Sequence, residues 1–130
     1  MTSTASRTRI KICGLTREAD VDAAVAAGAD AIGFVLYAPS PRAVSPARAA
    51  ELARRLPPFV TPVLLFVNET ASNVIAACAD IPSACVQFHG DETAADCLAA
   101  TDGGRRPFLR AARIPLGGGT LGLDLVEYAH

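Results

Sequence analysis

The chain has 130 residues, 51% of them hydrophobic, and a formal net charge of −1 at neutral pH. This composition predicts one folded domain with an apolar core and argues against a disordered chain. It also argues against a nucleic-acid partner, because there is no basic surplus, and against a membrane protein, because no apolar run approaches the ~18 residues of a membrane span.

The first residues give no secretory signal. Residues 1–8 are small, polar and basic, and no apolar stretch follows them, so we expect a flexible N-terminal tail. The four cysteines lack the two-residue spacing of a zinc or redox motif. We therefore expect a cytoplasmic protein with free thiols, no metal and no disulfides.

Five short β-type runs alternate with Ala-rich helical runs. We predict strands over residues 9–13, 31–36, 62–67, 84–88 and 107–112. The candidate starts of the first, second and fourth helices are Thr16, Ser45-Pro46 and Asp91. We predict the third helix from about Ala71 to Ala79. The candidate helix ends are Gly28, Pro57-Pro58 and Asp102-Gly103-Gly104. A last helix begins near Leu123 or Asp124, after a loop over Gly117-Gly118-Gly119.

Strands that are apolar throughout are typical of a parallel sheet with helices covering it. Two α/β architectures fit the alternation, an open doubly wound sheet or a β/α barrel, and periodicity does not separate them. No G-x-G-x-x-G follows the first strand, which disfavours the dinucleotide-binding form of the open sheet.

Both architectures bind ligands at the carboxyl ends of their strands. Cys13 ends the first strand, and Gly14 after it allows a sharp turn that leaves the thiol open. Lys11 lies on the same face, and its ammonium would favour the thiolate, making Cys13 a usable general base. The alternative for Cys13 is a buried structural thiol.

Three more strand ends carry polar residues. Arg42 follows Ser40-Pro41 after the second strand and suits a carboxylate, or else it is a solvated surface arginine. Gln87 and His89 lie at the end of the fourth strand, and His89 with Gly90-Asp91-Glu92 could line a pocket, although a lone histidine is more often structural. Asn68, after the third strand, could instead cap the next helix.

Four strand-end motifs, taken together, carry a resemblance to the phosphoribosylanthranilate isomerases. They are Lys11-Ile12-Cys13-Gly14-Leu15-Thr16, Gly33-Phe34-Val35 through Ser40-Pro41-Arg42, Leu65-Phe66-Val67-Asn68, and Val86-Gln87-Phe88-His89-Gly90-Asp91-Glu92. The resemblance runs from about Arg9 to the start of the fifth helix. It implies a TIM (β/α)8-barrel, here an incomplete barrel of about five parallel strands over residues 9–130.

The resemblance also implies the chemistry. That family converts N-(5-phosphoribosyl)anthranilate to 1-(2-carboxyphenylamino)-1-deoxyribulose 5-phosphate, an Amadori rearrangement of tryptophan biosynthesis, with no metal or organic cofactor. Cys13 would be the general base and Arg42 would hold the anthranilate carboxylate. Gln87, His89 and Lys11 would contact the same substrate.

Other parts of the family pattern have no counterpart in the chain. The family's general acid is an aspartate at the sixth strand, and its phosphate loops follow the seventh and eighth. We therefore expect little isomerase activity from these 130 residues alone, and the chain could instead be an inactive fragment or a non-catalytic module needing a complementing piece. Five strands would leave open barrel edges, so we also expect self-association.

Overall fold

The computed structural model describes residues 6–117 and 125–128, which form a five-stranded parallel sheet with helices between its strands. The strands are β1 (Lys11–Cys13), β2 (Ala31–Val35), β3 (Thr61–Phe66), β4 (Cys85–Phe88) and β5 (Phe108–Arg110). The helices are α1 (Glu18–Ala26), α2 (Pro46–Ala53), α3 (Ala71–Ala79) and α4 (Ala94–Ala100). A single turn of 3-10 helix spans Leu125–Tyr128.

The strand order decides between the two architectures. The strands lie in the order β1-β2-β3-β4-β5, and every neighbouring pair is parallel. A doubly wound sheet reverses direction at a switch point, whereas here each crossover steps the same way. Right-handed crossovers in one direction put all helices on one face, as in a β/α barrel. The expected incomplete barrel of five strands is confirmed.

The sheet also curls as a barrel wall does. Lys11 Nζ on β1 donates a hydrogen bond to Gln87 Oε1 on β4. These strands are three positions apart, a separation of roughly 14 Å in a flat sheet with a spacing of about 4.8 Å. Contact between the two side chains follows because the face that carries them is concave.

The hydrophobic core lies between the convex face of the sheet and the helices. Alternate residues of the central strands point into it, and they are almost fully buried: Ile32, Phe34, Leu64, Phe66, Val86 and Phe88. The helices add Val21, Leu52, Val74 and Cys97. Because successive side chains of a strand point to opposite faces, one face of the sheet packs against the helices and the other faces the barrel interior.

Several predicted boundaries are confirmed. Ser45 caps α2, its hydroxyl accepting a hydrogen bond from the Arg48 amide, with Pro46 at the first helical position. Helix α3 spans Ala71–Ala79 as predicted. Gly28 after α1 has φ +97°, the left-handed conformation of a helix end.

Two predicted helix caps are wrong. Arg17, not Thr16, occupies the cap position of α1, and no side chain caps this helix. The Arg17 guanidinium donates hydrogen bonds to Asp20 instead. Thr93, not Asp91, caps α4 through a capping box with Asp96. The Asp91 amide is instead hydrogen-bonded to a side chain of the loop after β3, which delays the helix by two residues.

The chain ends fall partly outside the described residues. This holds for residues 1–5 of the predicted tail, for Gly118 and Gly119, and for Leu123 and Asp124, where a last helix was expected. Within the tail, Arg7 forms an ion pair with Asp30. In the described part of the chain, no helix has the length and apolar character needed to cross a bilayer.

Two surface carboxyls are strongly perturbed by arginines. Hydrogen bonds from Arg48 lower the pKa of Glu18 to about 2, and hydrogen bonds from Arg7 lower the pKa of Asp30 to about 2. The Arg48 pair joins α2 to α1, and the Arg7 pair fixes the start of β1 against the loop before β2. A carboxyl whose pKa falls on folding stabilises the fold above its unfolded pKa of ~4 and loses that contribution as the pH falls further.

We predict that stability falls as the pH is lowered from about 5 towards about 2, and that Glu18→Gln makes this fall shallower. Urea midpoints measured across this range check it, and solvent screening keeps the effect small and salt-sensitive. Asp80→Asn at the end of α3, away from both ion pairs, is the control. An unchanged slope in Glu18→Gln would contradict the assignment.

Candidate active site

Cys13 lies at the carboxyl end of β1, directly above a glycine on β2. Cys13 pairs in register with Gly33, and a Cβ built on Gly33 would lie 2.7 Å from Cys13 Sγ. Any other residue at position 33 would displace the sulfur, because real Cβ atoms do not approach so closely. The thiol is partly exposed on the concave face. It is therefore neither buried among helices nor free of neighbours.

Arg42 crosses the turn that follows Cys13. Its Nη1 donates a hydrogen bond to the Cys13 carbonyl oxygen at 3.2 Å, and its backbone amide donates to Ser40 Oγ at 3.1 Å. Gly14 has φ +85°, and a Cβ there would lie 2.2 Å from Arg42 Nη1. The glycine thus allows both the turn and the close passage of the guanidinium. The contact places a cation beside the thiol-bearing residue.

Gln87 and His89 face the same interior from β4. Gln87 is buried, and its amide oxygen accepts the hydrogen bond from Lys11. The Gln87 amide nitrogen lies 3.4 Å from His89 Nδ1, where the donor depends on the histidine tautomer. The His89 amide donates to the Phe66 carbonyl at 3.0 Å. The His89 backbone is therefore bonded to β3, while its ring contacts the Gln87 side chain on β4.

The site residues expected from the sequence come together in two contacting groups at one end of the sheet. We call the set of Lys11, Cys13, Arg42, Gln87 and His89 the carboxyl-end cluster. Arg42 contacts Cys13, while Lys11, Gln87 and His89 form a hydrogen-bonded chain. The hydrogen-bond partner of Lys11 is the Gln87 amide, so its expected influence on the Cys13 thiol stays a prediction.

The other three cysteines sit in different surroundings. Cys78 and Cys97 are buried and Cys85 is half-buried, and burial raises the pKa of each thiol, that of Cys97 to about 11. All three therefore remain protonated at neutral pH and act as small core residues. Their thiols are poor nucleophiles and poor bases.

Two polar residues near the cluster have structural roles that the sequence did not predict. Glu92 is buried, and its carboxylate accepts hydrogen bonds from the amides of Asn68 and Gly90. Arg110 on β5 donates to the Glu92 carbonyl and stacks its guanidinium over Tyr128. Asn68 does not cap α3, whose N-cap is Thr70. The sequence signal for the role of Glu92 was its position two residues after Gly90, close to the end of the fourth strand.

A groove of about 680 Å³ lies away from the cluster, on the helix side of the sheet between the loop after β2 and α3. Its walls include Leu36, Val44, Phe66 and Ala77, all of which also belong to the apolar packing of that side. It contains none of the cluster residues. Among the residues described, no three histidine, cysteine or acidic side chains form a group that could hold a metal.

Comparison with known families identifies the fold and the motifs together. The family model described as N-(5'phosphoribosyl)anthranilate (PRA) isomerase matches residues 10–105, which is most of the chain. The chain belongs to the phosphoribosylanthranilate isomerase family. Among curated members, the enzyme of Methylibium petroleiphilum is 66% identical over 124 residues and that of Dechloromonas aromatica is 63% identical over 123 residues.

The solved structures agree with this membership. The phosphoribosylanthranilate isomerase of Thermotoga maritima has 37% identity and a TM-score of 0.76, covering 82% of this chain and 51% of that one. Another, in complex with reduced 1-(o-carboxyphenylamino)-1-deoxyribulose 5-phosphate, has 36% identity and a TM-score of 0.78, covering 84% and 55%. The two curated relatives are covered over 54% and 55% of their length and 95% of this chain. The chain therefore spans about half the length of the isomerases that it matches.

We predict that Gly14→Ala displaces the Arg42 side chain. The loss of stability should be no larger than the backbone strain of an alanine at this positive φ. Gly28 has a similar positive φ but no atom within 4 Å of a built Cβ, so Gly28→Ala is a matched control. Each variant should lose roughly 1–2 kcal/mol for a left-handed alanine, measured by urea unfolding. The flexible Arg42 side chain should move only in Gly14→Ala, seen by NMR of its guanidinium. Unchanged Arg42 signals in Gly14→Ala would contradict the contact.

Proposed function

We propose that this chain supplies the general base and the carboxylate grip of a phosphoribosylanthranilate isomerase site. The supporting observation is the thiol of Cys13 at the mouth of the barrel with the Arg42 guanidinium against its backbone. The curated relatives carry the isomerase name, which gives the reaction to propose. The proposal concerns the part of the active site that lies on the first five strands and their loops.

In the proposed reaction, an acid protonates the ribose ring oxygen and the ring opens to a protonated imine. Cys13 then removes the C2′ proton as a thiolate, giving an enolamine and a thiol. Tautomerisation of the enolamine forms the C2′ ketone and leaves a secondary amine at C1′. The imine nitrogen accepts the electron pair, so no metal or organic cofactor is proposed.

Arg42 is proposed to hold the anthranilate carboxylate by two parallel hydrogen bonds, since a planar guanidinium matches a planar carboxylate. Its exposed position at the turn after Cys13 supports this role. Gln87 and His89 are proposed to line the substrate pocket, with Lys11 as a further cationic contact to the anionic substrate. Holding the ring near the thiol turns proton removal into an intramolecular step.

Activity of the 130 residues alone is proposed to be low. The family resemblance puts the general acid on a sixth strand and the phosphate loops after the seventh and eighth. The described residues hold five strands. Losing the acid and the phosphate grip would cost several orders of magnitude in rate, because positioned acids and electrostatic contacts each contribute about 10²-fold or more. The purified chain isomerising at ordinary enzyme rates would overturn this.

Ligand protection of Cys13 tests the proposed function in this chain. We predict that N-methylanthranilate slows alkylation of Cys13 by iodoacetamide, measured residue by residue by mass spectrometry. The other thiols are buried or raised in pKa and react slowly. Arg42→Gln should weaken this protection by about 10- to 100-fold in ligand concentration, the size expected for a lost charged hydrogen bond.

Two controls make the result specific. N-methylaniline lacks the carboxylate and should not protect Cys13. Arg54→Gln removes an exposed arginine at the end of α2, away from the cluster, and should leave protection unchanged. Failure of N-methylanthranilate to protect Cys13 in the unmodified chain would refute the proposed substrate class.

A second candidate is an assembly role, supported by the sheet edges. Among the described residues, β1 pairs only with β2 and β5 only with β4. Ile12 on β1 is 38% exposed and Leu109 on β5 is 49% exposed. Open strands with apolar side chains favour pairing with another chain. A solved structure with 32% identity, a TM-score of 0.77 and 85% coverage of this chain is of monomers generated from the dimeric phosphoribosylanthranilate isomerase of Thermotoga maritima.

We predict that the chain self-associates in a concentration-dependent way, measured by sedimentation velocity. Leu109→Lys on β5 should shift the distribution towards monomer, because a charge on an edge strand blocks pairing. Ile75→Lys, on an exposed position of α3, is the matched control and should have no such effect. A monodisperse monomer at every concentration would exclude this role.

A cytoplasmic location completes the proposal. The four cysteines are all free thiols, which is typical of a reducing compartment. The proposed reaction belongs to tryptophan biosynthesis, which is consistent with this location.

A further inference from the structure

Glu92 is a buried acidic residue three positions after His89. The residue is 4% exposed and lies in the loop between β4 and α4. Burying a carboxylate is costly unless it is well hydrogen-bonded. The groups that satisfy this carboxylate therefore show what it holds in place.

The carboxylate joins the loops that follow two neighbouring strands. One oxygen accepts the amide hydrogen of Asn68 after β3, and the other accepts that of Gly90 after β4, each at 2.8 Å. Asn68 has φ +51°, in the left-handed region that few non-glycine residues adopt and in which asparagine is enriched. Its amide direction depends on that conformation, so the hydrogen bond to Glu92 stabilises an unusual turn.

The two loops also interlock directly. The Asn68 side-chain oxygen accepts the Asp91 amide hydrogen at 2.8 Å. A Cβ on Gly90 would lie 2.5 Å from that same oxygen, so only glycine permits this approach. The Glu92 carbonyl accepts hydrogen bonds from Arg110 at 3.1 Å and Tyr128 at 2.8 Å, which extends the connection to β5 and the 3-10 turn.

His89 lies between these fixed points. Its amide is bonded to β3, and the next residue, Gly90, is bonded to the Glu92 carboxylate. We propose that Glu92 is a positioning residue that holds the His89 ring towards the substrate by fixing the loops after β3 and β4. The inference rests on the proposed function, because His89 is the proposed substrate contact and Glu92 acts through it.

Glu92→Gln tests the inference with little change in volume. A glutamine offers one oxygen acceptor and turns an amide group towards the other backbone N–H. We expect amide hydrogen exchange at Asn68 or Gly90 to become about 10- to 100-fold faster, as for a lost charged hydrogen bond. The amides of Leu64 and Phe34 in the core strands should be unaffected. The His89 ring signals should shift in the absence of any ligand.

A matched control separates positioning from general stability. Glu69→Gln removes a carboxylate from the same loop after β3, where Glu69 bonds the Thr70 amide and the Asn73 side chain. It should leave the Gly90 amide and the His89 ring unchanged. Equal acceleration of loop and core amides in Glu92→Gln would mean a structural role only. An unchanged His89 ring would overturn the positioning role.

Adding N-methylanthranilate tells this failure from that of the proposed function. Ligand-induced shifts of His89 in the unmodified chain, weakened in Glu92→Gln, are the expected result. Equal ligand shifts in both proteins would overturn the positioning role while leaving the proposed function intact. No ligand shift and no Cys13 protection in the unmodified chain would overturn the proposed function, and with it the positioning role towards substrate.

Discussion

The hydrogen bond from Lys11 to Gln87 links β1 to β4 across the concave face of the sheet. It forms only because the sheet bends enough to bring side chains three strands apart into contact. That bend follows from crossovers that all step in one direction and put the helices on the outside. The same bend carries the ends of β1, β2 and β4 towards one point. The site therefore depends on the curvature of the wall.

Close packing at the strand ends explains why three glycines surround the cluster. Gly33 makes room for the Cys13 sulfur, Gly14 for the Arg42 guanidinium and Gly90 for the Asn68 side chain. Each glycine faces a polar or reactive side chain from another part of the chain. Such contacts join positions far apart in sequence, so the strand ends form a single fitted surface at which a ligand can be held.

The sequence predicted what depends on local patterns. Helix α3 and the Ser45-Pro46 start follow from short-range signals that neighbouring residues do not override. The candidate site residues were chosen because polar side chains at strand ends stand out in an otherwise apolar pattern. The family resemblance then gave the barrel, which periodicity alone had left undecided against the open sheet.

The errors occur where distant residues decide a local structure. Asp91 resembles a helix cap in the sequence, but its amide donates to the Asn68 side chain, 23 residues away, and Thr93 caps α4 instead. Glu92 was not recognised as a structural link because its partners lie on two loops that only the fold brings together. Spacing in one chain carries no record of such contacts.

The pairing of Cys13 with Gly33 bears on how such a pocket can change over evolutionary time. The sulfur and the residue beneath it are on different strands, 20 positions apart, yet occupy one volume. A side chain at position 33 therefore requires the residue at position 13 to move or to be smaller. Transfer of this thiol to another barrel in the same position would therefore also require a glycine at the paired position of the neighbouring strand.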